Sequence, residues 1–178
     1  MQFNDFKIIG VDHDHIEKDP TVANAYKYPF LLSSKPDDLW IKFLHHAYRL
    51  SSFSKKRQYS VVGSQVIFVV FGEDNMQNQL DFLKELVSIA NEEYRKLIEQ
   101  VIEDGKKSGH FRENISTTIT TMAIIGLVNW TYKWYKQNGK LTMKQITVYF
   151  NDIILRGICT QQGHEEALSK NHLLQSSN

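Results

Sequence analysis

Cysteine is almost missing from this chain. Cys159 stands alone among 178 residues, so no disulfide can form within the chain and no zinc site can be built on paired thiolates. One thiol fits a reducing compartment. Long apolar runs are missing too. The most apolar stretch, near Met122 to Trp130, is interrupted by Gly126 and Asn129 and is too short to span a bilayer. The opening residues, MQFNDFKIIG, lack the basic flank and long apolar run of a signal peptide. The expected location is therefore the cytoplasm. Charge of one sign is absent: the formal net charge is +1, which argues against a whole-molecule electrostatic grip on nucleic acid. There is no glycine-rich phosphate loop and no Gly-x-Ser-x-Gly elbow.

What is present is ordinary globular composition, with 42% apolar residues, enough to build a core without metal or disulfide support. Phe6 to Val11 predicts a short buried strand. The stretch from Asp12 to Ser34 holds Pro20 and Pro29 and shows no clear period, so it reads as a loop with extended pieces. Helical spacing of Leu39, Trp40, Phe43, Leu44, Ala47 and Leu50 predicts a helix from about Pro36, with Ser34 as candidate N-cap. Gln58 to Gly72 reads as a β-hairpin turning at Gly63-Ser64. From Asn75 an apolar period runs to about Asp104, as one helix or as two joined near Asn91. The first half is thus β-α-β-β-α, an incomplete ferredoxin-like unit with an antiparallel sheet, and the fold class is α+β.

The second half reads as all helix. Ile115 to Gln137 ends at Asn138-Gly139, and a last helix opens on a Thr142–Gln145 capping box and runs to about Ile158. The expected organisation is an α/β unit over 1–91, a helical module over 92–160 and a flexible polar tail over 161–178.

Several features of the helical module occur together in a fixed order. Gly105, Gly109 and Phe111 form a Gly-x-x-x-Gly-x-Phe turn. Gly126 lies mid-helix before Asn129-Trp130, then come Trp134-Tyr135, the Asn138-Gly139 turn, and a closing helix with Phe150 and Leu155-Arg156-Gly157. In this combination Glu92 to Ile158 resembles the C-terminal dimerisation and ligand-binding domain of TetR-family transcription regulators. The resemblance implies a non-enzymatic regulatory or sensor protein, a homodimer, and an apolar small-molecule effector, with no cofactor required. Tyr94, Met122, Asn129, Trp130 and Trp134 are the candidate pocket residues. Gly126, Trp130, Ile146, Phe150, Ile153 and Ile154 are the candidate dimer interface. The physical reading agrees: Met122 to Trp130 is apolar nearly all round, and such a helix needs cover on every side. The family's helix-turn-helix reader is not seen here, so DNA binding has no residues to rest on.

Other residues carry competing chemistry. His13 and His15, alternating with Asp12 and Asp14, could ligate a divalent metal, with His45 and His46 as further donors. A small metal-binding module or metal-dependent enzyme is the alternative function. Glu17 and Asp19 could join that loop as an acid–base pair. Lys55, Lys56 and Arg57 form a short basic run, read as a solvated turn or as a phosphate contact. Cys159, near a helix C-terminus, is expected to have a raised pKa and to be a packed thiol.

Overall fold

The computed structural model describes residues 5–54, 56–72, 74–136 and 138–175. The chain divides into two units, Met1–Tyr94 and Arg95–Asn178. The elements of the first are β1 (Ile8–Val11), β2 (Glu17–Lys18), β3 (Ala25–Leu32), α1 (Asp38–Leu50), β4 (Tyr59–Val62) and β5 (Gln65–Phe71), together with the first part of α2 (Met76–Lys107). The second holds the rest of α2, α3 (Thr117–Trp134), α4 (Met143–Ile158) and α5 (Gln161–Gln175). Among the described residues no helix is long and apolar enough to cross a membrane.

The fold is mixed helix and sheet, and the sheet is antiparallel throughout, in the order β1-β3-β5-β4 with β2 also paired to β3. The stretch read as a loop with extended pieces supplies β2 and β3, and β3 is a central strand. Pro29 hid it, because a proline inside a run argues against a central position. The register explains why it is tolerated. In a strand the N and C=O of one residue point the same way, and the Pro29 carbonyl accepts from Asp12 N at 2.9 Å. Its missing N–H therefore faces the gap between β1, which pairs with Phe30 to Leu32, and β2, which pairs with Tyr26 and Lys27. No ladder bond is lost.

Alternation along β5 buries Val66, Phe68 and Val70 and leaves Gln65, Ile67, Val69 and Phe71 partly exposed. The buried face carries Phe30 and Leu32 from β3 and is covered by Trp40, Leu44 and Ala47 of α1 and Phe82, Leu83, Leu86, Val87 and Ala90 of α2. Aromatic contacts tie these layers: Phe30 meets Phe68 edge-on, Tyr59 stacks on Phe68, and Tyr48 contacts both Tyr59 and Phe82. The hairpin turns where expected, with Gly63 at φ +59°, a conformation glycine reaches without steric cost.

α1 begins at Asp38, and its N-cap is Asp37, whose carboxylate accepts from Trp40 N at 2.7 Å. Ser34 is buried upstream of it and does not cap the helix. α2 is a single helix through Asn91. The side chain of Asn91 accepts from Phe6 N at 3.2 Å and from Trp40 Nε1 at 2.9 Å, and donates to Phe6 O at 2.8 Å. A polar residue on an apolar stripe thus pins the chain start and α1 to α2.

In the second unit α3 is capped by Ser116 and α4 by the Thr142–Gln145 capping box. The segment 161–175, expected to belong to a flexible tail, forms α5. Thr160 Oγ1 accepts from Gly163 N at 3.1 Å at its start, and Gln161–Glu165 and Gln162–Glu166 pairs lie one turn apart along it. Residues 176–178 lie outside the described residues.

Candidate functional site

α3 has its polarity turned inside out. Ile119, Ala123, Gly126, Trp130 and Trp134 recur at steps of four, three, four and four, so they share one face. That face is open: Trp130 is 56% exposed, Ile119 and Trp134 are exposed as well, and a Cβ added at Gly126 would meet nothing within 4 Å. The opposite side holds Thr121, Ile125 and Asn129, all buried. Thr121 is fully buried, and its hydroxyl has no hydrogen-bond partner among the described residues. Burying an unsatisfied hydroxyl is unfavourable, as is exposing two indoles. A helix built only to fill its own chain's core would be turned the other way.

α4 adds to the same pattern. Tyr149 and Ile153, one turn apart, are exposed, Ile153 by 58%. Phe150 and Ile154 are half-buried, and the Phe150 ring meets Trp134 edge-on at 6.3 Å. Ile146 is different: at 3% exposure it is already covered within its own chain. Of the expected pocket residues, Met122 is half-buried on α3. Tyr94 lies in the first unit, where its hydroxyl donates to Asp37 Oδ2 at 2.7 Å. Burial, and then the Asp37 carboxylate, push that phenol well above its ordinary range. Thr121 and the exposed Ile119 are absent from the sequence expectations. The signals were the helical spacing that puts Ile119 on the face of Trp130 and Thr121 on the face of Ile125 and Asn129.

The Gly-x-x-x-Gly-x-Phe turn has a clear structural job. Gly109 takes φ +74°, Phe111 N donates to Gly105 O at 2.9 Å, and the Phe111 ring lies where a Cβ at Gly105 would be, 2.2 Å away. The turn then pairs with the α4–α5 junction: Arg112 N donates to Ile158 O and Thr160 N to His110 O, on either side of an antiparallel Phe111–Cys159 bridge. His110 Nε2 reaches Glu166 Oε2 at 3.0 Å, and Gly163 lets α5 approach the His110 carbonyl. Cys159 is buried there, and burial raises its thiol pKa.

The loop after β1 gathers only part of its expected ligands. His15 Nδ1 and Asp12 Oδ2 lie 2.9 Å apart, Gln65 Nε2 donates to the same oxygen at 3.2 Å, and His13 is exposed on the short 3-10 turn His13–His15. Asp12, His15 and Gln65, but not His13, line a depression of about 340 Å3 together with Pro29 and Ile67. His45 pairs with the Tyr59 hydroxyl and His46 with Arg49, so neither is shown turning to that loop. Among the described residues no three His, Cys, Asp or Glu side chains are grouped to hold a metal ion. Asp19 accepts from Thr21 Oγ1, Thr21 N and Val22 N, which hold its carboxyl below the ordinary range and make it a turn cap rather than a proton donor.

The hydrogen bond between Asp12 and His15 lowers the carboxyl's pKa and raises the imidazole's. The pair's contribution is therefore lost as pH rises through the raised His15 value, and lost again as pH falls through the depressed Asp12 value. An NMR titration is expected to place His15 above the ordinary imidazole midpoint. In Asp12→Asn the midpoint should fall, and an unchanged midpoint would refute the pairing.

In the basic run, Lys55 lies outside the described residues. Lys56 Nζ donates to Arg49 O, and Arg57 grips Asp74 with two hydrogen bonds of 2.8 and 2.7 Å while lying over the Phe71 ring. Arg57 is thus structural, a bidentate partner for a buried carboxylate.

Known proteins share part of this chain. A family model described as the tetracyclin repressor-like C-terminal domain matches residues 58–158. The match includes the helical module and reaches upstream through β4, β5 and the start of α2. The HTH-type transcriptional repressor KstR2 of Mycolicibacterium smegmatis is 29% identical over 89 residues, which are 50% of this chain and 42% of that protein. The chain therefore spans less than half the length of this relative. The solved ketosteroid transcriptional regulator KstR2 of Mycobacterium tuberculosis aligns with 48% of this chain and 41% of its own, at 24% identity and a TM-score of 0.41.

Proposed function

The chain belongs to the family of tetracyclin repressor-like C-terminal domains, and from that premise we propose that it is the homodimeric, effector-sensing part of a transcription regulator. The observation that carries the proposal is the reversed polarity of α3. Its outward stripe, with Trp130 and Trp134, together with Tyr149 and Ile153 of α4, supplies apolar surface that a second copy would cover through a twofold contact. Gly126 sits in that stripe with open space in front of it, which allows two helices to approach closely. The inward side is the candidate effector wall, with the apolar Met122 and Ile125 beside the polar Thr121 and Asn129, which would orient a ligand. The effector class is an apolar small molecule.

Of the basic run, Arg57 is committed to Asp74 and carries no proposed DNA contact. The test is native mass spectrometry of the untagged protein at micromolar concentration. The expected result is the mass of two chains, with any bound effector as added mass. A single-chain mass at every concentration, with Trp130 fluorescence already that of a buried indole, would overturn the dimer reading.

A further inference from the structure

The second unit holds polar atoms that its own chain leaves unsatisfied. Arg95 is half-buried at the start of that unit, and its Nε is shut away from solvent with no hydrogen-bond partner among the described residues. Thr121, fully buried on α3, is in the same position at its Oγ1. Both groups can donate, and the arginine can only donate. Burying such groups unmet is unfavourable, and a guanidinium cannot lose its proton to escape the cost. What the inside of this unit lacks is an acceptor.

The two groups lie on stripes that begin together. Lys106 Nζ donates to Thr117 Oγ1 at 2.6 Å, where the end of α2 meets the start of α3. Back along α2 from Lys106, steps of four, four and three pass Ile102 and Ile98 and reach Arg95. Forward along α3 from Thr117, steps of four pass Thr121 and reach Ile125. Ile102 and Ile125 are buried and Ile98 is half-buried. An apolar lining that carries donors suits a ligand that brings the acceptor, and a guanidinium gains most from a carboxylate. We propose that the effector is an apolar acid, its carboxylate paired with Arg95 and its body lying on Ile98, Ile102 and Ile125, an assignment that rests on the inward side of α3 being the effector wall.

Three ten-carbon probes that share one body and differ in charge decide it: decanoate, decanol and decyltrimethylammonium, each titrated calorimetrically into the full chain near neutral pH. Decanoate is expected to bind at least about tenfold more tightly than the alcohol or the cation. Arg95→Met should bring decanoate down to about the affinity of decanol. Without ligand, neither Arg95→Met nor Thr121→Val should lower the melting temperature, since each removes a group that has no partner to lose. Decanol or the cation binding as tightly as decanoate, or decanoate binding that survives Arg95→Met, overturns the proposal while leaving an apolar effector site in place. No binding of any probe overturns it together with that site. A melting temperature lowered in either variant overturns it as well, because the group removed would then have a partner within the chain.

Discussion

Replacing Asn91 with alanine is expected to destabilise the first unit by about 3–5 kcal/mol, and a urea titration followed by tryptophan fluorescence would measure it. The substitution removes one side chain but strands three groups: the Phe6 N–H, the Phe6 carbonyl and the Trp40 indole N–H. Phe6, Trp40 and Asn91 are all buried, and each buried group left without its partner costs about 1–3 kcal/mol. The Phe6 ring, packed on Trp40 at 4.5 Å, would loosen with its backbone. If the hydrogen bonds are the cause, Asn91→Ala should cost less when Trp40→Phe is already present, because the indole donor is then gone. A loss below about 1 kcal/mol would mean that Asn91 merely fills space.

The second large effect concerns assembly. Trp130→Glu is expected to raise the dissociation constant of the proposed dimer about a thousandfold, read by sedimentation across a dilution series. A twofold interface uses each residue twice. A central aromatic is worth about 2 kcal/mol per copy when removed, so two copies give about 4 kcal/mol, or three powers of ten. Trp130 is exposed in its own chain, so folding of the isolated subunit should not suffer. Secondary structure retained while the dimer dissociates is the expected pair of results. An unchanged dimer would move the interface elsewhere, and loss of folding would mean that the indole is needed within the chain.

Much of this could be read from the residues because the signals were local. The Gly63 turn, the Thr142–Gln145 capping box and the spacing of Leu44, Ala47, Leu83, Val87 and Ala90 each depend on neighbours within one turn or one hairpin. What was not legible depended on distant partners. Pro29 looks incompatible with a central strand until the gap between β1 and β2 is seen beside it. Asn91 looks like a helix break until Phe6 and Trp40 are found on it. In 161–175 the Gln161–Glu165 and Gln162–Glu166 spacings are weak signals by themselves, and the helix is held where Gly163 lies against the His110 carbonyl. For α3, an apolar sequence nearly all round could not say which side faces inward, and only burial separated Thr121 from Trp130.

The break at Pro29 has a further consequence for what this sheet can join. An added strand needs a continuous row of donors and acceptors along a bare edge. On one side the sheet ends in a four-residue strand and a two-residue strand separated by the turn at His13–His15. On the other it ends in β4, only four residues long. Neither margin is a template on which a long foreign strand could zip, so the sheet's half-covered face is not matched by an edge that could carry it into a fibril.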